Sequence, residues 1–217
     1  MTMVKFCSAR KAIALIKPGD TVAIAGFLSV GSPERLIDEL VRQKTSPLHV
    51  IVNDCAYPDR GVGKLIVSGQ IQELTATHIG TNTKAVEKVN AGTIKVHFNP
   101  QGTLLERLRC GGNGLGGFYT PTGVGTVVAQ GKETRVIDGR AYLLETPLRP
   151  KFGLIRAHKA DTKGNLVFRK TARNYNPVIA MASEITIVQA DAIVAAGKLD
   201  PESVVVPFPF VDYVVGP

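Results

Sequence analysis

Seven glycines crowd into the fifteen residues from Gly111 to Gly125, GGNGLGGFYTPTGVG. Ordering a glycine costs roughly 0.5–1 kcal/mol more than ordering an alanine, so a folded segment this rich in glycine is expected to carry bare amides up to a ligand or a reacting carbonyl. Packing between subunits is the other use for so bare a backbone. Gly112, Gly114 and Gly117 also satisfy the dinucleotide pattern G-x-G-x-x-G, with Glu133 placed like its ribose acid. The surroundings reject that reading. The true fingerprint follows a strand and opens a helix, whereas Gly102 to Cys110 has helical spacing (Leu104, Leu105, Leu108) and Tyr119 to Gly123 carries Pro121 in a turn.

Three further places could do chemistry, and each falls just after a predicted strand. Gly26-Phe27-Leu28-Ser29-Val30-Gly31 follows Thr21 to Ala25, Asn53-Asp54 follows Leu48 to Asn53, and Gln101 follows Ile94 to Phe98. In open α/β sheets the ligand crevice lies beyond the carboxyl ends of the strands. Ser32 and Pro33 suit the cap and first position of a helix over Glu34 to Lys44, whose unpaired amides would favour a carboxylate, phosphate or oxyanion. An ordinary strand-to-helix turn would look the same.

These sites need a scaffold, and the order of elements supplies one. Helical spacing is found over Ser8 to Lys17, Glu34 to Lys44 (Leu36, Ile37, Leu40 and Val41 inward), Thr83 to Asn90, Gly102 to Cys110 and Pro177 to Ala182. Strands are predicted at Thr21 to Ala25, Leu48 to Asn53, Glu73 to His78, Ile94 to Phe98, Arg140 to Glu145, Phe152 to Ala157 and Ile185 to Gln189. Alternation of this kind indicates an α/β fold, an open and mostly parallel sheet covered by helices. Residues 1–217 read as one domain, with no linker, low-complexity tract or internal repeat.

Composition narrows the function classes. Lys and Arg outnumber Asp and Glu by 26 to 18. Between Arg149 and Arg173 eight basic residues face the single acid Asp161, a stretch suited to a solvated face, a partner's docking surface or an anionic ligand such as a phosphorylated cofactor. Nucleic acid is set aside, because aromatic interleaving is thin and no recognition motif accompanies the charge. Cys7, Cys55 and Cys110 are widely spaced, His49, His78, His97 and His158 are scattered, and neither set has metal-ligand spacing. No metal and no disulfide are expected. Met1 to Arg10 lacks an apolar export segment and no run is long enough to span a bilayer, so the expected location is the cytoplasm.

Taken together, Ala25 to Glu34 (AGFLSVGSPE), His78 to Asn82 (HIGTN), Pro100 to Leu104 (PQGTL), the glycine run to Thr126, Leu154 to His158 and Ala172 to Pro177 (ARNYNP) resemble the α subunit of family I coenzyme A transferases. The resemblance runs from near Met1 to about Tyr213 and lies nearest the acetate/acetoacetate (3-oxoacid) group. It departs at Ala25, where the family usually has a first glycine before the phenylalanine, and at Asn113, where alanine is usual.

The resemblance implies a CoA-transferase-like, Rossmann-related open sheet with helices on both faces, and a chain active only with a β subunit, as α2β2 or higher. It implies coenzyme A as a substrate, with no permanently bound cofactor, and transfer of CoA between a short-chain acyl-CoA and acetate or a 3-oxo acid. An enzyme glutamate attacks the thioester, passes through an acyl-glutamyl anhydride and a glutamyl-CoA thioester, and hands CoA to the incoming acid. That glutamate belongs to a Ser-Glu-Asn-Gly-type motif of the β half, which is absent here. Ser183-Glu184 is the nearest imitation and reads as the entry to a buried strand; Glu34, Glu106 and Glu145 read as surface acids. By the same resemblance Gln101 contacts the reacting carboxyl or oxyanion, Asn53 lies near the reaction centre, and Ala25, Gly26, Phe27, Leu28, Ser29, Val30 and Gly31 form the CoA-contact turn. Gly111, Gly112, Gly114, Gly116 and Gly117 are candidates for closing over the substrate or for packing on a partner. Two rival functions are a stand-alone sugar-phosphate isomerase or deaminase on a related sheet, and a non-catalytic CoA-binding module.

Overall fold

The computed structural model describes residues 3–217. Met1 and Thr2, which open the segment read for an export signal, lie outside the described residues. The first half of the chain runs β1 (Lys5–Phe6), α1 (Ala9–Ile13), β2 (Thr21–Ile24), α2 (Glu34–Gln43), β3 (Leu48–Ile51), α3 (Gly63–Val67), β4 (Ile71–Ala76), α4 (Thr83–Asn90), β5 (Lys95–Phe98) and α5 (Gln101–Gly112). The second half holds β6 (Phe118–Thr120), β7 (Thr134–Ile137), β8 (Arg140–Glu145), β9 (Phe152–Ala157), β10 (Lys159–Asp161), β11 (Leu166–Val167), α6 (Asn176–Ala182), β12 (Ile185–Ala190), β13 (Ile193–Val194) and β14 (Tyr213–Val215).

Eight strands form one sheet in the order β1-β14-β12-β9-β2-β3-β4-β5, and every pairing in it is parallel. Strand alternation sends neighbouring side chains of β2 to opposite faces. Val22 and Ile24 pack with Ile13, Leu36, Leu40, Leu65 and Ala85 from α1 to α4, while Ala23 and Ala25 pack with Leu104 and Leu108 of α5 and Val178 and Ile179 of α6. Helices therefore cover both faces, as the α/β expectation required. Among the described residues no helix is long and apolar enough to cross a membrane.

From β2 the chain progresses outward through β3, β4 and β5 on one side, and from β9 through β12 and β14 on the other. The strand order thus reverses between β2 and β9, and a crevice opens beyond their carboxyl ends. The predicted Ser32 cap is not made: Pro33 occupies the cap position of α2 without a side-chain bond. Ser32 is instead buried, with Oγ turned to Gly26, where a Cβ would lie 2.1 Å away.

β6, β8 and β7 make a separate antiparallel sheet after α5. Its anchor is Glu145, which corrects the surface-acid expectation. The residue is buried, with Oε1 accepting from Lys132 Nζ at 2.5 Å and Oε2 3.8 Å from Arg107 Nε. Burial pushes the Arg107 guanidinium below its ordinary value while Glu145 supports it. Glu145→Gln is expected to cost about 2 kcal/mol, the worth of a hydrogen bond to a charged group. A drop of roughly 4–8 °C in the thermal midpoint would register that loss.

Candidate active site

The turn after β2 carries unusual backbone. Leu28 and Ser29 both adopt positive φ, 46° and 71°. Gly31 has φ 79°, and a Cβ there would lie 2.9 Å from both Ala172 O and Asn176 Nδ2, so only glycine fits. Bridged backbone bonds between Phe27 and Val30 close the turn, 3.1 Å one way and 2.9 Å the other. Its outer edge presents Phe27 and Val30, each a little under half exposed.

Asn53 and Asp54 follow β3, buried at 2 % and 7 % exposure. Asp54 Oδ2 accepts from Leu28 N at 3.0 Å and from Asn53 Nδ2 at 2.7 Å, and its Oδ1 accepts from Ala56 N at 2.8 Å. Asn53 Oδ1 accepts in turn from Gln101 Nε2 at 2.9 Å. A carboxylate only accepts, so Asn53 must offer it the amide nitrogen, which leaves the amide oxygen for Gln101. Gln101 must then offer nitrogen as well. One charge thereby orients two amides, and the exposed Gln101 amide keeps its second N–H for a ligand.

These residues converge on one cavity of about 380 Å³, lined by Phe27, Leu28, Asn53, Asp54, Thr77, His78, Thr81 and Gln101. Its walls come from the segments after β2, β3, β4 and β5 in turn. The HIGTN motif stiffens that rim. Thr81 Oγ1 donates to Ala56 O at 3.1 Å, Asn82 Nδ2 donates to Cys55 O at 2.9 Å, and Asn82 Oδ1 caps α4 by accepting from Ala85 N. Across the turn a second cavity of about 380 Å³ is lined by Ser29, Val30 and Gly31 and by Arg156, His158, Arg169 and Lys170 from the basic stretch. Arg156 is paired there with Asp191, which lines the same cavity, at 2.9 Å, and Lys151 of the same stretch is paired with Asp20 at 2.7 Å.

Of the residues singled out in the sequence, Phe27, Leu28, Asn53 and Gln101 meet at the first cavity, and Ser29, Val30 and Gly31 line the second. Ala25 is 2 % exposed and packs into the core behind the turn. The glycine run does not join them within this chain. Gly111 and Gly112 end α5, about 16 Å from Gln101 at 1.5 Å per residue. There a Cβ on Gly111 would lie 2.1 Å from Leu148 O, and one on Gly112 would lie 2.9 Å from Met181 O. Close packing explains both. Gly114 and Gly116 face open space, and Gly117 lies against Glu145 O. Asn113 closes α5, with Nδ2 donating to Arg109 O at 3.0 Å.

Strand-end reasoning picks out Asp54 together with Asn53 but gives it no role of its own. Among the described residues it is the only carboxylate lining the first cavity, and both its oxygens are engaged. Glu184 stands just before β12, at the amino end of the sheet and away from the crevice. Glu34 is part-buried, accepting from Gly61 N at 2.8 Å and Lys64 Nζ at 2.7 Å, so it pins the start of α2 instead of standing free. Among the described residues no three His, Cys, Asp or Glu side chains gather as a metal site.

Two oriented amides beside an engaged carboxylate are a donor site without a free nucleophile, and comparison with known proteins gives the family: residues 6–216 match the one described as coenzyme A transferase. The chain belongs to that family. This transferase chain is 45 % identical over 211 residues to the alpha subunit of the acetate CoA-transferase of Escherichia coli (strain K12), covering 97 % of this chain and 96 % of that one. It is 42 % identical over 202 residues to the alpha subunit of the acetoacetyl-CoA:acetate/butyrate CoA transferase of Clostridium acetobutylicum, covering 93 % of each. Both relatives are single subunits of CoA-transferases.

In fold the transferase chain is similar to an acyl-CoA transferase (YdiF) of Escherichia coli O157:H7 solved as a thioester complex with CoA, at TM-score 0.87 and 24 % identity. The match covers 99 % of this chain and 47 % of that one, so the chain spans about half the length of that transferase. The isomerase and non-catalytic readings gain no support from any of these relatives.

Proposed function

We propose that this chain is the α subunit of an enzyme that moves CoA between a short-chain acyl-CoA and acetate or a 3-oxo acid, using a glutamate on a separate β subunit. The glutamate attacks the thioester carbonyl, expels the CoA thiolate and forms an acyl-glutamyl anhydride. The thiolate then attacks the glutamyl carbonyl, which releases the first carboxylate and leaves glutamyl-CoA. An incoming carboxylate reverses both steps and leaves with the CoA. Each addition places negative charge on a carbonyl oxygen, and fixed donors aimed at that oxygen lower the barrier.

The observation that carries this reading is the Asp54–Asn53–Gln101 chain, which aims an amide N–H into a cavity whose one carboxylate is already engaged. Amide donors do not titrate, so they add no second charge beside an arriving glutamate. The turn from Gly26 to Gly31 would lie along CoA, and the basic cavity on its far side suits an anionic portion of that substrate. Three free cysteines suit a reducing compartment, the cytoplasm, and α2β2 is the expected assembly. The relatives named for acetate and for acetoacetyl-CoA with acetate or butyrate leave the acid itself to the pocket shared with β, where one methylene changes discrimination by only about 1–3 kcal/mol.

Copurification with the β chain, followed by assay of CoA exchange between acetyl-CoA and a panel of carboxylates, tests this. We expect exchange by the complex and none by the 217-residue chain alone. Borohydride reduction during turnover should place the trapped adduct on a β-subunit glutamate. An adduct on this chain, at Asp54 or any other acid, would overturn the assignment.

A further inference from the structure

The turn and Gln101 belong to loops after two strands that are not neighbours, and a transfer site needs them at one fixed spacing. Asp54 links them from the front. From behind, a single tripeptide reaches both. Asn174 Nδ2 donates to Val30 O at 2.9 Å and to Thr171 O at 2.9 Å. Asn176 is fully buried; its Nδ2 donates to Gly31 O at 3.1 Å and to Ala172 O at 2.8 Å, and its Oδ1 accepts from Arg156 N of β9 at 2.8 Å. Between the two asparagines, the Tyr175 hydroxyl donates to Gln101 O at 3.1 Å.

Three consecutive residues therefore hold the last two carbonyls of the turn and the first carbonyl of α5. Two features mark this as more than a packed corner. Lys170, at the start of the same segment, is held in the left-handed region at φ 52°, a conformation that persists in a non-glycine residue only where the surroundings over-determine it. The Tyr175 hydroxyl is pushed up to about 12, first by burial and then by the nearby negative Asp54, so it stays protonated and remains a donor throughout the neutral range.

We propose that Asn174-Tyr175-Asn176 is the positioning element of the transfer reaction, fixing the Phe27–Gly31 turn and Gln101 at one separation so that CoA lying along the turn brings its thioester to the Gln101 amide. The inference rests on the CoA-transfer reading above. None of the three touches the reacting atoms; they act through the groups they hold. Misplacement of such groups by about 1 Å costs on the order of 10²-fold in rate, so loss of one of several tethers is expected to cost about tenfold.

The test uses the assembled complex with its β subunit, reading kcat, both KM values and the thermal midpoint. Tyr175→Phe keeps the ring and removes the donor. Its kcat should fall about tenfold with both KM values within about twofold, the pattern of an interaction made in the transition state. In a Gln101→Ala background the same change should lower kcat by no more than about twofold, because the side chain it positions is gone. A purely structural tyrosine would instead give the same fractional loss in both backgrounds, and that result, or an unchanged kcat, overturns the proposal. Should Tyr175→Phe fail to assemble, Asn174→Asp serves: it keeps the acceptor used by Tyr175 N but loses the donor to Val30 O, and the same kcat loss is expected. If the wild-type complex exchanges no CoA, the functional reading fails instead, and the two failures are told apart by that control.

Discussion

Gln101→Ala in the assembled enzyme should lower kcat by roughly 10²–10³-fold, the loss seen when one oxyanion donor is removed from an acyl-transfer site. KM for the acyl-CoA should change little, because the donor serves charge that develops only in the transition state. The fold should hardly notice. Gln101 is exposed and its side chain makes a single protein hydrogen bond, to Asn53 Oδ1. Gln101→Glu should be at least as damaging, for an acceptor would then face the Asn53 oxygen and a negative charge would stand where the β-subunit glutamate must arrive. Steady-state kinetics with melting curves separates these outcomes, and unchanged turnover in Gln101→Ala would remove the residue from the mechanism.

How much of this is legible in the sequence follows the distance over which each feature is decided. β3 and β12 are rich in β-branched residues and β9 is largely apolar, all three mostly buried on both faces, and such runs announce themselves. α4 is predicted over its full observed span, Thr83–Asn90, where Asn82 caps the first turn. β7 escapes prediction because all four of its residues are exposed, which leaves no buried alternation to detect. α3 escapes because it is five residues long and opens on a glycine. By composition the glycine run suits a substrate or a partner equally, and within this chain Gly111 and Gly112 pack a helix end closely on Leu148 and Met181. Composition states that backbone comes close to something; tertiary structure alone states to what.

The site is legible in its parts but not in its wiring. Strand-end reasoning locates the turn, Asn53 and Gln101, and family resemblance attaches roles to them. That Asn53 and Gln101 share a hydrogen bond, and that Asp54 dictates its direction, depends on contacts between separate loops that no spacing rule encodes. The same holds for Ser32, whose type suits a helix cap while the close approach of Gly26 draws it elsewhere.

Asp54 gives the second large effect. Asp54→Ala orphans Leu28 N, Asn53 Nδ2 and Ala56 N at once, each a donor costing about 1–3 kcal/mol when left unpaired in a buried place. Water from the adjoining cavity relieves part of this, so the expected loss is about 3–5 kcal/mol, a fall of roughly 10 °C or more in the thermal midpoint. Asp54→Asn separates charge from shape. An amide of the same outline can accept from Leu28 N and Asn53 Nδ2 on its oxygen, but it then turns an NH2 toward Ala56 N, so one buried donor is lost and stability falls by about 1–3 kcal/mol. Its greater consequence is directional. Without an acceptor-only group at the root of the chain, Asn53 and Gln101 can both reverse, and Gln101 then presents its oxygen to the developing oxyanion. A further loss of about tenfold in kcat is expected from that reversal, beyond anything the midpoint predicts, and a structure of the variant should find the Gln101 amide flipped. Full turnover in a folded Asp54→Asn enzyme would mean that the amide direction is set by the β subunit, and that the carboxylate serves only to hold Leu28 and Ala56 in their left-handed turns.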